Sequence, residues 1–223
     1  FHPDFVGLVA QSRCDVRVIK ATDAAGRSGY LPLHRRRFGF SRPIAATLSD
    51  YHGPVCEPGF QMSPEEMLRG GNIRRYKYFA RIGAGDGASS RGLRADMVPG
   101  QPSPFEHFQL EHPKKAKQFR RLRRKLESEH GEVAVSLGAA DPETLHCLWG
   151  WKQDQFRRTG RHNVLKPTWI SRLLNELHDG GVGEVSGYLV SLNVNGRPVA
   201  AEFGPRWRGA FHPWIAAYDP EFT

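Results

Sequence analysis

Long apolar runs and cysteines are both scarce in this sequence. No stretch approaches the roughly 20 apolar residues of a membrane-spanning helix, and no secretory signal is visible. The three cysteines, Cys14, Cys56 and Cys147, are odd in number and far apart, which excludes a disulfide framework and zinc-ligand spacing. We therefore expect a cytoplasmic protein in which each cysteine is a small buried hydrophobe.

Sequence motifs of familiar chemistries are missing as well. The ten histidines do not cluster, and neither a metal-ligand set nor a G-x-S-x-G elbow, P-loop or Cys/His nucleophile pattern is present. GAGDGA (83–88) matches a dinucleotide-binding pattern, but the following SSRGLRADMVPG cannot form the helix that such a phosphate site needs. We expect a flexible linker there and no bound metal.

Size and charge set the remaining limits. The chain has 223 residues, 39% hydrophobic and 25% charged, which suits one large domain or two small ones. The net charge of +9 permits nucleic acid, anionic lipid or phosphate-bearing partners without choosing among them. Because the chain begins with Phe, we expect a fragment of a longer protein.

The first half of the chain has mostly β patterning. The alternation in DVRVIKAT predicts a strand, and Ser63, Pro64 and Glu66 form the start of a capped helix. Further strands are expected in GYLPLHRRRFGF, LSDYHGPV (48–55), IRRYKYFARI (73–82) and RGLRADMV. The Gly-, Ser- and Pro-rich stretch 83–104 predicts a boundary between an N-terminal region, 1–100, and a C-terminal region, 104–223.

The second half predicts three helices followed by an antiparallel meander. The helices are expected in HPKKAKQFRRLRRKLESEHG, DPETLHCLWGWKQDQFRRTG and PTWISRLLNELHDGG, with a strand in GEVAVSL after the first. Asn195-Gly196-Arg197 joins two strands as a hairpin, and AFHPWIAAYD forms the next strand. The fold class is mixed α/β, of the α+β kind.

The basic stretch KKAKQFRRLRRK (114–125) has two interpretations. Its eight basic residues could lie on phosphates or anionic lipid. Alternatively they form a solvated face, because Ala116, Phe119, Leu122 and Leu126 make an apolar stripe on the other side and no aromatic stacking residue lies on the basic face itself. We favour the solvated face.

Two other patterns could form a site. Lys152, Gln155 and Thr159 share one face of the second helix, which could hold an anionic or carbonyl-bearing substrate or could simply be a polar surface. In the last strands, Glu202 lies on one face of its strand, and His212, Trp214 and Tyr218 are expected on one face of the next. Such groups are plausible in proton transfer, although a mixed core and surface pattern is the alternative.

Pro213 interrupts the last strand. Proline cannot donate a hydrogen bond to a sheet, so we expect an edge or a bulge at this point. Bulges often lie beside active sites.

An ordered set of motifs carries a resemblance to a known family. SDYHGPV, RRLRRKLESEHGEV, WKQDQFRRTG, LVSLNVNGRPVAAEFG and FHPWIAAYDPEF occur in that order. Together they resemble the CelD-like acetyltransferases of the GNAT superfamily, which are related to Fem-type aminoacyltransferases. The resemblance implies two tandem GNAT-like halves with a cleft between them, the second incomplete at its C-terminus.

The resemblance also implies a chemistry. An acyl group carried as a thioester, usually on coenzyme A, would pass to an amine or hydroxyl acceptor, and the resemblance implies cell-surface polysaccharide or envelope metabolism as the setting. The thioester would lie on the bulged strand, where backbone N–H groups polarise its carbonyl and a base takes the acceptor's proton. A phosphate-binding loop is expected beyond Thr223.

Site residues follow from the matched motifs. Family members often have His where Glu202 stands, and this chain departs from the family there. Either His212 or Glu202 is the candidate base. The candidate catalytic residues are Glu202, His212, Tyr218 and Asp219. Candidate acyl-CoA contacts are Trp214, Ile215 and Ala216, and candidate acceptor contacts are Asp50, Tyr51, Lys152, Gln155, Arg158 and Thr159.

Two alternatives remain within this resemblance. A Fem-type transferase would use aminoacyl-tRNA, which the basic helix favours, but the sequence has no room for the usual helical arm. A non-catalytic module would bind an anionic glycan precursor, lipid or RNA through its positive charge. Nucleic acid is otherwise not expected as a partner, and the sequence does not give the oligomeric state.

Overall fold

The computed structural model describes residues 2–49, 51–77, 100–138 and 141–222, which fold into six α-helices and two sheets. The helices are α1 (Pro3–Ser12), α2 (Pro64–Gly70), α3 (Pro104–Glu111), α4 (Pro113–His130), α5 (Pro142–Thr159) and α6 (Thr168–His178). The strands are β1 (Val16–Thr22), β2 (Ser28–Arg35), β3 (Phe40–Pro43), β4 (Val55–Cys56), β5 (Arg75–Tyr76), β6 (Val133–Leu137), β7 (Val185–Val194), β8 (Arg197–Trp207), β9 (Ala210–Phe211) and β10 (Ile215–Tyr218). The mixed α/β class expected from the sequence is confirmed.

The N-terminal sheet has the order β1-β2-β3-β5, with β4 also paired to β2. All of its pairs are antiparallel except β3 with β5. Leu31 and Leu33 of β2 are buried under α2, which contributes Met67 and Leu68. Ser63 and Glu66 form the expected capping box at the start of α2, so the sequence signal and the packing agree.

The C-terminal sheet is antiparallel, with the order β10-β8-β7-β6 and β9 paired to β8. Its hairpin turns at Asn195 and Gly196, whose φ angles of 49° and 79° suit the expected two-residue turn. Helices α5 and α6 cover one face of this sheet, hereafter the inner face, and bury Leu148 and Leu173 against Phe203. The opposite face is hereafter the outer face.

The largest hydrophobic cluster contains residues from both halves of the chain. Phe5, Leu8 and Val9 of α1 and the turn residues Ile44 and Leu48 join the core formed by α5, α6 and the inner face. The division into regions 1–100 and 104–223 therefore stays a prediction, and the first region is not packed independently of the second.

Several expectations differ from the structure. The strand predicted at 48–55 is wrong: only Val55–Cys56 is a strand, because residues 44–48 form a turn. Helices α1 and α3 were not predicted. Cys14 and Cys56 are exposed rather than buried.

The apolar stripe of α4 is largely unburied. Ala116 is fully buried, but Phe119 and Leu122 are 51% and 47% exposed. The basic residues of the helix are exposed, which is compatible with both interpretations of this stretch. The GAGDGA and RGLRADMV segments and the end of the strand expected at 73–82 lie outside the described residues.

Candidate active site

A bulge interrupts the strand that follows the hairpin. On β8, Phe203 pairs with Ile215 and Arg206 pairs with Phe211. Between these two pairs, residues 204–205 of β8 therefore lie opposite three residues, 212–214, of the segment that joins β9 to β10. The bulge expected at Pro213 is confirmed, and it separates β9 from β10.

Gly204 makes this bulge possible. A Cβ atom at Gly204 would lie 1.9 Å from the carbonyl oxygen of His212 and 3.0 Å from the amide nitrogen of Trp214. The bulged backbone therefore passes directly over this glycine. Alternation along β8 puts Gly204 on the same face as Glu202, so the bulge lies over the outer face beside that carboxylate.

The bulge also reorients Trp214. Its ring packs on the core and meets Phe5 of α1 edge-on, with centroids 5.7 Å apart. The expectation that His212, Trp214 and Tyr218 share one face is therefore wrong for Trp214, because the extra residue breaks the alternation. The imidazole of His212 is exposed, and its backbone N–H donates to the Pro205 carbonyl at 3.0 Å.

Strand β10 has one unpaired edge within the described chain. The Asp219 amide donates to the Val199 carbonyl at 2.8 Å, so odd-numbered residues of this segment hydrogen-bond towards β8. The N–H and C=O of Ala216 consequently point to the open edge. Nζ of Lys152 donates to the Ala216 carbonyl at 2.9 Å, which fixes a cation at this edge.

Lys152 reaches the edge from the middle of α5. Partial burial lowers the pKa of its ammonium group, and the positive charge of Arg161 adds to the effect. Its ammonium also lies 5.5 Å from the centre of the Phe156 ring. The edge of β10 therefore carries a positioned, partly desolvated cation.

Glu202 lies on the outer face, directly across from the edge residue Ala216. It pairs with Ala216 across β8 and β10 and with Val190 across β7 and β8, so its flanking cross-strand neighbours are apolar. Burial raises the pKa of the Glu202 carboxyl above 4.5. No hydrogen bond or ion pair to Glu202 occurs within the described residues, which is unusual for a partly buried carboxylate.

Tyr218 lies on the same outer face as Glu202. It pairs with Ala200, two residues before Glu202, and its side chain is 47% exposed. Diagonal neighbours of this kind are within reach of a long or aromatic side chain. The structure therefore brings Glu202, Tyr218 and the Ala216 edge together.

Asp219 is placed differently. Its carboxylate is buried, accepts from Nη2 of Arg197 at 2.6 Å and accepts from the Glu221 amide at 3.0 Å. These bonds fix the turn after β10. Since this carboxylate already has its partners, its placement points to a structural contribution.

The predicted acceptor residues are dispersed. On α5, the Thr159 hydroxyl donates to the Gln155 carbonyl at 2.7 Å, and Arg158 is exposed. Tyr51 is 44% exposed beside buried His52, whose Nε2 lies 2.8 Å from the Ser49 hydroxyl. Asp50 lies outside the described residues. Of this set, Lys152 has a side-chain hydrogen bond to β10.

Sequence patterns alone missed two parts of this site. Gly204 gave no motif, although a glycine inside a strand is itself a signal of close backbone approach. The contact between Lys152 and Ala216 joins residues 64 positions apart in the sequence. Helix periodicity predicts which face of α5 carries Lys152, but it does not predict that this side chain contacts Ala216.

The described part of the chain also bears on metal binding and on membrane insertion. No three His, Cys, Asp or Glu side chains in that part group as metal ligands would. No described helix combines the length and apolarity needed to cross a bilayer.

Comparison with known proteins gives one family match. Residues 113–223 match the model described as Acetyltransferase (GNAT) domain. The match starts at α4 and covers the whole C-terminal sheet, including Glu202 and β10. It supports membership of the GNAT superfamily and an acyltransferase activity in general. A search of curated proteins found no match.

Proposed function

We propose that this protein transfers an acyl group from an acyl-coenzyme A thioester to an amine or hydroxyl acceptor at the open edge of β10. The observation that carries the proposal is Glu202. It is a partly buried carboxylate of raised pKa, it has no described partner, and it lies beside a bulged edge strand. The family match over the same elements supports this assignment.

The residues at the edge fit an acyl thioester. An open strand edge can pair with an extended ligand in the way that an added strand does. The outward N–H of Ala216 is a fixed donor for a carbonyl oxygen, and its neighbours Trp214 and Ile215 hold the strand in place. Acyl-CoA supplies an acyl group activated for transfer. We propose acetyl-CoA as the simplest donor of this class.

Acyl transfer requires two proton transfers, and a different side chain of the protein would carry out each of them. Glu202 would take the proton of the acceptor amine or hydroxyl, since a raised pKa makes a carboxylate a stronger base near neutral pH. The hydroxyl of Tyr218 would give a proton to the departing sulfur. Lys152 would bind the Ala216 carbonyl and so help to hold this residue of β10, whose N–H faces the open edge, in place.

His212 and Asp219 take secondary parts in this proposal. His212 lies in the bulge and is the second candidate for the base, because its exposed ring is free to approach an acceptor. Asp219 fixes the end of β10 through Arg197. Arg158, Gln155 and Thr159 on α5 and Tyr51 from the first half remain proposed acceptor contacts.

The finer assignments rest on the CelD-like resemblance. It suggests an acceptor in cell-surface polysaccharide or envelope metabolism. The three free cysteines, two of them exposed, fit a reducing compartment, and we propose a cytoplasmic location on that ground.

Titration with acetyl-CoA tests the proposal most directly. We expect saturable binding by calorimetry and, in an amide NMR spectrum, shifts centred on the Ala216 N–H. Lys152→Met should weaken binding because the Ala216 peptide loses its anchor. Lys166→Met, at an exposed lysine outside the site, is the matched control.

Two outcomes would contradict the proposal. One is the lack of any binding at millimolar acetyl-CoA. The other is binding that shifts amides elsewhere and leaves Ala216 unchanged.

A further inference from the structure

A recess of about 470 Å³ opens beside β3 on the N-terminal sheet. Its lining residues are Arg36, Arg37, Phe40, Ser41, Arg42 and Lys77. Among these six, which are the lining residues that the structure describes, four are cations and none is acidic. This basic recess belongs to the other sheet from β10 and has no part in the acyl-transfer proposal.

Local structure explains why the cations converge. Phe40 and Arg42 alternate with Ser41 on β3, so they share one face of the sheet. Strand β5 runs parallel to β3 and sets Arg75 opposite Phe40, with the Arg75 guanidinium 5.1 Å from the ring centre. Lys77 continues from β5, and its amide donates to the Ser41 carbonyl at 3.2 Å.

The loop before β3 supplies the other two arginines. The Arg36 amide donates to the Phe40 carbonyl at 2.8 Å, which closes a tight loop. Within it, Phe38 and Gly39 both have left-handed backbones, with φ of 60° and 73°. The side chain of Phe38 is 90% exposed, so packing of its ring does not account for the left-handed backbone at this residue. The loop presents Arg37 next to Arg36 at the rim of the recess.

Among the described residues, these cations have no partners of opposite charge. Within residues 2–49, 51–77, 100–138 and 141–222, no side-chain hydrogen bond or ion pair is made by Arg36, Arg37, Arg42 or Lys77. The aliphatic part of the Arg74 side chain lies against Gly39 of the same loop. Like charges held together repel one another, and an anion relieves that repulsion.

We propose that the basic recess binds a phosphate- or pyrophosphate-bearing small molecule. Arginine forks match the oxygens of phosphate, and lysine adds a point charge. The recess has the volume of a small-molecule site, about 300–1,000 Å³, whereas a polymer would need an extended groove. Phe40 gives it an apolar wall for an organic group attached to the phosphate.

Calorimetric titration with inorganic pyrophosphate tests the assignment, since this probe lacks any part of an acyl thioester. We expect saturable binding at low ionic strength, with amide shifts in residues 36–42 and at Lys77. The double variant Arg37→Ala/Lys77→Ala should bind at least about tenfold more weakly. Lys117→Ala/Arg121→Ala, which removes the same charge from α4, should change affinity less than about twofold.

Circular dichroism and thermal unfolding establish that both double variants are folded. Equal weakening in the two variants would overturn the site and leave only general charge attraction. Amide shifts confined to β10 would overturn it as well.

Two further binding experiments distinguish a phosphate-bearing small molecule from the phosphates of a lipid surface or of RNA. Adenosine diphosphate should bind more tightly than pyrophosphate, and Phe40→Ala should remove that difference. Sedimentation with phosphatidylglycerol vesicles or binding to single-stranded RNA, without binding of either small molecule, would overturn the small-molecule assignment.

Discussion

His34 of the N-terminal sheet is buried with both ring nitrogens hydrogen-bonded, whereas Glu202 of the C-terminal sheet is partly buried with no described partner. The Ala45 amide can only donate, so the His34 Nε2 that accepts from it at 3.0 Å carries no proton. Nδ1 therefore carries the proton and donates to Asp15 at 2.9 Å. Burial, reinforced by Arg13, lowers the pKa of His34 to about 4, although Asp15 opposes the shift.

The difference separates a structural group from a candidate catalytic one. A buried polar group with all its bonds made contributes to one fixed arrangement. A partly buried carboxylate that makes no hydrogen bond or ion pair destabilises the folded protein when it is charged. Natural proteins tolerate this cost mainly at functional sites. The two groups should consequently respond to pH and to substitution in opposite ways.

The largest expected effect is on activity, in Glu202→Gln. The variant keeps the shape of the side chain and loses the base, so kcat should fall roughly 10²–10⁴-fold with acetyl-CoA and a responsive acceptor. The acid limb of the pH profile of the unsubstituted protein should report a pKa above 4.5. Exposed Glu111→Gln, which removes an equal charge, should retain activity.

The stability of Glu202→Gln sharpens the same comparison. Because the carboxyl pKa of Glu202 is higher in the folded protein than in the unfolded chain, protonation of this carboxyl stabilises the folded protein. That stabilisation is complete below the pKa of the unfolded chain and is lost as pH rises through the pKa of the folded protein. At neutral pH the glutamine variant should therefore be at least as stable as the original chain. A clear loss of stability would mean that Glu202 has a structural partner, and the contrast with His34 would fail.

Acid should destabilise the protein through His34. Its folded-state pKa is lowered, so its contribution is complete above the ordinary value of 6.5 and is lost as pH falls to about 4. The shift corresponds to about 3 kcal/mol of unfolding free energy. Urea unfolding across this pH range measures it, and His34→Gln, which can still donate and accept, should flatten the dependence. An equally steep dependence in the variant would move the effect to another group.

Next in size is the effect of a methyl group on the bulge. Gly204→Ala places a Cβ against the His212 carbonyl, so the bulged backbone must move. We expect a loss of about 1–3 kcal/mol in unfolding free energy together with loss of activity. Gly150→Ala is the control: nothing lies within 4 Å of its Cβ position, and alanine favours the α5 helix. Thermal unfolding of both variants should give shifts of opposite sign.

Periodicity and caps predicted much of the fold, but not all of it. Helices α2, α4, α5 and α6, the Asn195 hairpin and the Pro213 bulge all carry strong local signals. Helix α1 was missed because its cap is His2, whose Nδ1 accepts from the Asp4 amide, and histidine is not a usual cap. The strand predicted at 48–55 was overridden by burial of Ile44 and Leu48 in the core of the other half.

The candidate site was predictable where it depends on alternation. Alternation along β8 gives the direction of Glu202, and pairing with β10 adds Tyr218. The orientation of Trp214 was not predictable, because a bulge of unknown length resets the alternation. Contacts between distant segments, such as the ammonium of Lys152 on the Ala216 carbonyl, depend on tertiary packing that one sequence does not show.

The smallest expected effect on stability comes from the loss of a capping box, a motif that occurs at the start of two helices. Ser63 and Ser103 each cap a helix with Pro at the first position and form a capping box, with Glu66 and Glu106 respectively. Helix α2 buries Met67 and Leu68, whereas α3 buries no residue. Ser63→Ala should therefore lower global stability by about 1 kcal/mol.

Ser103→Ala should leave the melting temperature nearly unchanged, because α3 can fray without opening the core. Its amides should instead exchange faster with deuterium in native conditions, since local opening costs less than global unfolding. Equal falls in melting temperature for the two variants would mean that α3 unfolds together with the core. In that case the stacked rings of Phe108 and Phe119, with centroids 5.8 Å apart, would have to couple α3 through α4 to the C-terminal sheet.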